Sequence, residues 1–266
     1  MIEAWFAFAF GLLIGSFLNV CIYRLPRDLS VVRPRSFCPE CEKQIAWYDN
    51  IPVLSFLLLG GRCRYCKARF SWRYPVVELL TGVVFFLGVY KLGLSWAAAR
   101  FCLYAAYLVA LLFTDLETRI LPDEFTKSGI VLGLLFAPLA HLPVLFGYLI
   151  LPAGAPLWQT SLVESGLGAF VPSAFLWLTG WLYERIRKRE GLGFGDVKMI
   201  AMIGAFTGLS GALTVLLYGS VLGTVVGLLF IAITRKSMAT YELPLGSFLA
   251  FVALVHAAVT TLSSSG

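Results

Sequence analysis

Charged side chains are scarce. They make up 14% of the 266 residues, against roughly a quarter in an ordinary soluble domain. Apolar residues make up 59%, too many for one water-surrounded core to hide, which excludes a simple soluble globule. Histidine is nearly missing. His141 and His256 are the only two, both in apolar runs with no third ligand-type residue beside them. Packing or interfacial roles are expected of them, and histidine-centred catalysis is not. The first apolar run has no basic flank before it, no small-residue cleavage site and more length than a secretory signal uses, so it reads as a retained span. What the chain has in quantity is long continuous apolar sequence, in runs near the ~20 residues that cross a bilayer. Their continuity excludes the in-out alternation of barrel strands, and helices satisfy their own backbone in lipid. The expected fold is an all-α polytopic membrane protein.

About eight transmembrane helices are expected, over 4–23, 75–90, 96–114, 128–151, 162–182, 197–209, 212–234 and 245–262. The sixth and seventh are expected to meet in a turn at Ser210-Gly211, and Pro138 and Pro143 interrupt the fourth. Residues 24–74, between helices 1 and 2, form a polar insert with ten Lys/Arg and four acidic residues. Basic residues gather on the cytoplasmic side of membrane proteins. With the N-terminus outside, 19 of the 21 Lys/Arg fall in segments that face inward, leaving only Lys91 and Arg100 on the other side. Topology therefore accounts for the net charge of +6, and a nucleic-acid partner is not expected. The same count puts Asp115, at the end of the third span, and Asp196, at the start of the sixth, at one membrane face.

Six cysteines occur. Cys21 and Cys102 lie in apolar runs and read as small buried residues. Cys38-x2-Cys41 and Cys63-x2-Cys66 are two pairs separated by 21 residues, all within the insert. Two facing Cys-x2-Cys turns supply four thiolates in a tetrahedron, which suits a structural Zn²⁺. A reducing cytoplasmic setting argues against disulfides. A closed four-thiolate site has no open position for catalysis, so the metal would fold an insert too small to hold itself together. The expected architecture thus includes a small zinc-ribbon-like insert, with Gly60-Gly61 supplying a permissive turn beside Cys63.

The motifs that carry chemistry are acidic. Gly193-Phe194-Gly195-Asp196-Val197-Lys198 sets an aspartate between a glycine-flanked turn and an apolar run. Gly193 and Gly195 would let the backbone take unusual angles and let a substrate chain approach. Asp115 closes another apolar run, with Glu117 and Asp123 as rival acids nearby. Two carboxyls that share one proton can activate water and polarise a carbonyl together. Alone, Asp115 could be a helix-end residue and Asp196 a first-turn residue offsetting the helix dipole. Lys198 reads as a membrane-surface anchor, and Asn19 as a packing residue between helices.

At these residues the chain resembles the type IV prepilin peptidases, the bifunctional leader peptidases of type IV pilus and type II secretion systems. The resemblance rests on Asp115-Leu116-Glu117-Thr118-Arg119-Ile120-Leu121-Pro122-Asp123 and on Gly193-Phe194-Gly195-Asp196. It extends to Gly15-Ser16-Phe17-Leu18-Asn19-Val20, Arg24-Leu25-Pro26, Ile51-Pro52-Val53-Leu54-Ser55 and Tyr74-Pro75-Val76-Val77-Glu78. It covers nearly the whole chain. It implies that Asp115 and Asp196 are the catalytic pair of an aspartic endopeptidase in the inner (cytoplasmic) membrane. The substrate would be a prepilin or pseudopilin, cut where a short basic leader meets an apolar helix. The new N-terminus would be methylated from S-adenosylmethionine. No Gly-x-Gly-x-x-Gly donor fingerprint is present, so methylation rests on the resemblance alone. The implied division is residues 1–92, helices 1 and 2 with the insert, as a methylation module, and 93–266 as a six-helix peptidase core.

Two other functions fit parts of the pattern. A transporter or channel could use Asp115 and Asp196 as an ion or proton relay, with Glu164 as its best additional acid. A zinc-ribbon scaffold without chemistry would leave Gly-Phe-Gly-Asp unexplained.

Overall fold

The structure, a computed structural model, describes residues 1–143, 145–152, 154–188, 193–234 and 244–263. Among these, helices dominate and no β-strand occurs. In order they are α1 (Ile2–Arg24), α2 (Leu54–Leu58), α3 (Arg73–Leu92), α4 (Trp96–Thr118), α5 (Asp123–Phe136), α6 (Gly147–Ile150), α7 (Leu157–Arg187), α8 (Phe194–Thr234) and α9 (Leu245–Ser263). The all-helical membrane architecture follows from the apolar runs, and six of these helices are long and apolar enough to cross a bilayer. The chain divides into two compact units, Met1–Ala110 with Thr261–Gly266 and Leu111–Thr260, so the division falls within α4.

In the N-terminal unit α1 and α3 pack face to face. A Cβ on Gly11 would lie 2.8 Å from the Gly82 Cα, and one on Gly15 would lie 2.7 Å from the Glu78 Cα. Small residues let the backbones come this near, which is how helices gain dispersion energy in lipid. Asn19 takes the expected interhelical role, its Nδ2 donating to the Tyr74 carbonyl at 3.0 Å. Arg24 ends α1 and donates to the Ser30 and Arg35 carbonyls at 2.9 and 3.5 Å, anchoring the start of the insert.

The span pattern departs from expectation in the second unit. The fourth apolar region forms only the 14-residue α5, because Pro138 has no N–H to continue the helix; turns follow, then the single turn α6. The sixth and seventh expected spans are the two helical halves of α8, which meet at Gly208 (φ 75, ψ −178) and not at Ser210-Gly211. Only a residue without a Cβ accepts that conformation readily. The count of about eight full-length spans is not confirmed among the described residues, where six elements, α8 counted once, are long and apolar enough.

Glu164, fully buried in α7, holds this break together. Its Oε2 accepts the N–H groups of Leu145, Phe146 and Gly147 at 3.2, 2.9 and 2.9 Å, and its Oε1 accepts the Leu209 N–H at 3.3 Å. The Leu209 N–H loses its helical acceptor at the break and cannot stay bare in an apolar setting. A carboxylate occupied by four backbone donors is a structural clamp. The relay function loses its extra acid, and the transporter expectation finds no support. Beside the clamp, α7 and α8 touch backbone to backbone where the Gly168 carbonyl meets Gly204. Residues 191–192 and 235–243, which include the expected loop at Gly191-Leu192 and the basic turn at Arg235-Lys236, lie outside the described residues.

Candidate active site

Asp115 lies one turn before the end of α4 and is 5% exposed. Ser247, in the first turn of α9, donates to its Oδ2 twice, from the backbone N–H and from the hydroxyl, each at 2.6 Å. The carboxylate thus sits against a helix N-terminus, where free N–H groups and the helix dipole favour an anion. A glycine makes the approach possible. A Cβ at Gly246 would lie 3.1 Å from the Asp115 Cγ and 3.1 Å from the Leu121 Cδ1.

Asp196 occupies the first turn of α8, its N–H donating to the Gly193 carbonyl at 3.0 Å. It is half-buried. Gly195 packs on Leu121, whose Cβ would be 3.2 Å from a glycine Cβ. Leu121 therefore touches both the glycine before Asp196 and the glycine that backs Asp115. The two aspartates share this neighbourhood through Leu121. The pair that sequence singled out is brought together within one unit. Gly195 takes no positive φ, contrary to the expectation of unusual backbone angles. Gly195 instead provides room for Leu121, since α8 already begins at Phe194.

The rival acids are accounted for otherwise. Glu117 is exposed. Asp123 opens α5 and pairs with Lys127 at 2.6 Å and with Lys198. Hydrogen bonds from Lys127 and then Lys198 hold its carboxyl below the usual carboxylate range. Lys198 is thus no free surface anchor. It ties the Gly-Phe-Gly-Asp stretch to the Asp115 stretch. Sequence reasoning missed Ser247 and Gly246 altogether. The available signal was Pro244-Leu245-Gly246-Ser247, a proline followed by a small hydroxyl residue, which is how helices open.

The four cysteines of the insert form a second site, in the N-terminal unit. Two knuckles repeat the same bonds. Cys38 N–H donates to the Lys43 carbonyl at 3.0 Å and Cys63 N–H to the Ala68 carbonyl at 2.9 Å. Glu42 N–H returns to the Cys38 carbonyl at 2.8 Å and Lys67 N–H to the Cys63 carbonyl at 3.1 Å. Glu42 and Lys67 both turn through positive φ, 56° and 61°. The Sγ atoms all lie within 4.8 Å of one another. A tetrahedral ion with sulfur bonds near ~2.3 Å would hold its ligands about 3.8 Å apart. Cys38–Cys66 at 3.8 Å and Cys41–Cys63 at 4.0 Å fit that figure. Burial pushes the Cys63 thiol up, yet N–H donors from Cys66 and Tyr65 and the neighbouring thiols outweigh it and bring it down to about 7. The cluster can hold a metal ion. Gly60 and Gly61 turn through φ of 60° and 65°, as expected beside Cys63.

Fold and site together define a polytopic helical membrane protein with two acids gathered at helix ends and a four-cysteine knuckle pair. Residues 9–92 match the family model described as Bacterial Peptidase A24 N-terminal domain, and residues 102–228 match the one described as Type IV leader peptidase family. A protein named prepilin leader peptidase/N-methyltransferase from Myxococcus xanthus (strain DK1622) is 40% identical over 234 residues, covering 88% of this chain and 65% of that protein. Proteins of the same name from Neisseria gonorrhoeae and Aeromonas salmonicida (strain A449) are each 35% identical. The first alignment covers 81% of this chain and 78% of its relative, the second 91% and 86%. No solved structure matches the chain. The chain belongs to the type IV leader peptidase family.

Proposed function

We propose that this protein is a prepilin leader peptidase and N-methyltransferase, with Asp115 and Asp196 as the catalytic pair of an aspartic endopeptidase. One observation carries the peptidase reading: Asp115 is fixed by Ser247 at the α9 N-terminus, and Asp196 reaches the same neighbourhood across Leu121. Two carboxyls converging on one site can share a proton between them. The ionised one takes a proton from water, whose oxygen attacks the scissile carbonyl carbon. The protonated one donates to the carbonyl oxygen. As the carbon–nitrogen bond breaks, the leaving amine collects a proton and the pair is restored. Asp115 is the rigid arm. Gly193 and Gly195 leave room for the substrate backbone and for Leu121.

The substrate class follows from the relatives' names: type IV prepilins or pseudopilins, cut where a basic leader meets an apolar helix. The basic-residue count supports an inner-membrane, multi-pass placement with the N-terminus outside, the aspartates and insert cytoplasmic, and the lipid bilayer as the surrounding partner. The donor chemistry of Cys38, Cys41, Cys63 and Cys66 fits Zn²⁺, which would cross-link the insert and supply no catalytic step. Residues 1–92 serve as the methylation module, with S-adenosylmethionine as donor, and 93–266 as the peptidase core. The two family matches, which end and begin on either side of residue 93, support that division.

The test is cleavage of a purified prepilin by full-length protein in lipid. Asp115→Asn and Asp196→Asn should each lower the rate by about 10²–10⁴-fold, the range a general acid or base contributes, with the protein still membrane-inserted. Cleavage within a few-fold of wild type in either variant would remove the aspartate pair from the mechanism.

A further inference from the structure

Three family-like stretches have no task in the two-aspartate chemistry: Gly15–Asn19 with Arg24, Ile51–Ser55, and Tyr74–Glu78. In the folded N-terminal unit they contribute to one cleft. It lies between the ends of α1 and α3 and the insert, with a cavity volume of about 140 Å³, and is open to solvent.

Its lining is mostly apolar, with a few buried polar side chains set among the apolar ones. Asn19 is 2% exposed. Its Nδ2 is committed to the Tyr74 carbonyl, which orients the amide, and its Oδ1 has no donor. A buried acceptor in a mostly apolar cleft calls for a donor from a bound molecule. Glu78 is 7% exposed and accepts the Val53 N–H at 2.8 Å, with the Ser16 hydroxyl beside it. To deliver that N–H, Val53 adopts φ +60°, ψ −50°. A β-branched residue resists that region, and such strain gathers at binding sites. Arg24 is 6% exposed, and its charge is met by carbonyl oxygens and by the Phe37 ring, whose centroid is 5.9 Å from the guanidinium carbon. The rings of Tyr23, Phe37 and Phe56 supply flat apolar surface. The cleft therefore offers a buried carboxyl, an open acceptor, a buried cation and aromatic faces together.

We propose that this cleft binds the methyl donor, an adenosyl sulfonium bearing an amino-acid tail. Glu78 and the Asn19 Oδ1 face its cationic, methyl-bearing end. Arg24 meets its carboxylate, and the rings take the purine. A zwitterionic phospholipid headgroup shares the charge pattern but has no heterocycle for the rings. The assignment rests on the reading of the chain as an N-methyltransferase and adds to it a place and a set of contacts.

The experiment is equilibrium binding of tritiated S-adenosylmethionine to full-length protein in nanodiscs, with prepilin cleavage as the check on folding, since that chemistry belongs to the other unit. Glu78→Gln and Asn19→Ala should each weaken donor binding by roughly tenfold or more, the effect of removing a charge-assisted or buried polar contact. Should wild type methylate a prepilin while both variants bind donor as wild type does, the cleft assignment fails and the methyltransferase reading stands. Should wild type neither bind nor transfer, the methyltransferase reading falls and takes the cleft with it. If a variant also loses cleavage, ultraviolet cross-linking of labelled donor to the wild type decides. Label on peptides containing Tyr23, Phe37 or Phe56 supports the cleft, and label confined to residues after 110 overturns it. Phospholipid retained by the wild type but lost in Glu78→Gln, with donor binding unchanged, also overturns it.

Discussion

The insert and the aspartate site solve one problem, fixing polar groups beside a membrane, by opposite means. The insert is short and polar, and its described core is four thiols and two copies of one backbone knuckle. A metal can close it because the ligands are near in sequence and the turns repeat. The aspartate site gathers residues from α4, α8 and α9, and its order comes from close helix contacts and from Glu164 beneath the Gly208 break. A metal held by the four thiols would organise the first site, whereas backbone proximity organises the second. Each should therefore fail for its own reason, and each failure can be measured apart.

The largest effect belongs to the metal. Structural zinc contributes on the order of 10 kcal/mol in small domains, more than such an insert could replace. Cys63→Ser, or a strong chelator, should strip the ion and leave residues 24–74 open to protease, read by metal content and limited proteolysis. Prepilin cleavage should decline far less, because the Asp115–Ser247 contacts lie within the other unit. Equal loss of both activities would dissolve the contrast.

Next in size is the helix break. Gly208→Ala places a Cβ about where the Glu164 side chain lies, 2.9 Å from its Cγ, on a backbone with φ +75°. A non-glycine residue held in a sparsely populated region costs about 1–3 kcal/mol, and the clash adds to that. Thermal unfolding in detergent should shift down by several degrees, with metal content unchanged. Ser247→Ala should do less. It keeps the backbone N–H on Asp115 and removes the hydroxyl, a hydrogen bond to a charged group worth about 1.5–3 kcal/mol. Cleavage should fall by roughly tenfold or more, mostly in kcat. An unchanged rate would mean that the hydroxyl does not position Asp115.

Much of this was legible in the chain. Run length and sparse charge gave the helices, Cys-x2-Cys spacing gave the knuckles, and Gly-Phe-Gly-Asp pointed at Asp196. What was hidden was tertiary. Ser247 stands 132 residues from Asp115, and no local pattern links a serine at a helix start to one acid so far away. The Gly208 break was placed two residues too late, because a Ser-Gly pair is the stronger local turn signal and the packing against Glu164 is invisible to it. Glu164 itself read as a possible relay, since sequence shows a buried acid but not the four N–H groups that occupy it. The ion pair of Lys198 was hidden likewise, its partner Asp123 lying 75 residues away.

That last pair gives the smallest effect and the finest test of the contrast. Asp123 is substantially exposed, its side chain at 42%, so the pair is worth about 0–1 kcal/mol. Its carboxyl is held below the usual range by Lys127 and Lys198. A lowered value means that the stabilisation is complete above the unfolded aspartate's pKa, near ~3.9. It fades as pH falls through that value toward the folded one. Lys198→Met should therefore cost little at neutral pH and nothing once Asp123 is protonated in both proteins. Measured as unfolding midpoints at pH 7 and near pH 3, the difference from wild type should shrink on acidification. A difference that grows would mean that Lys198 serves a group other than Asp123, and Asp196, two residues before it, would be the first to examine.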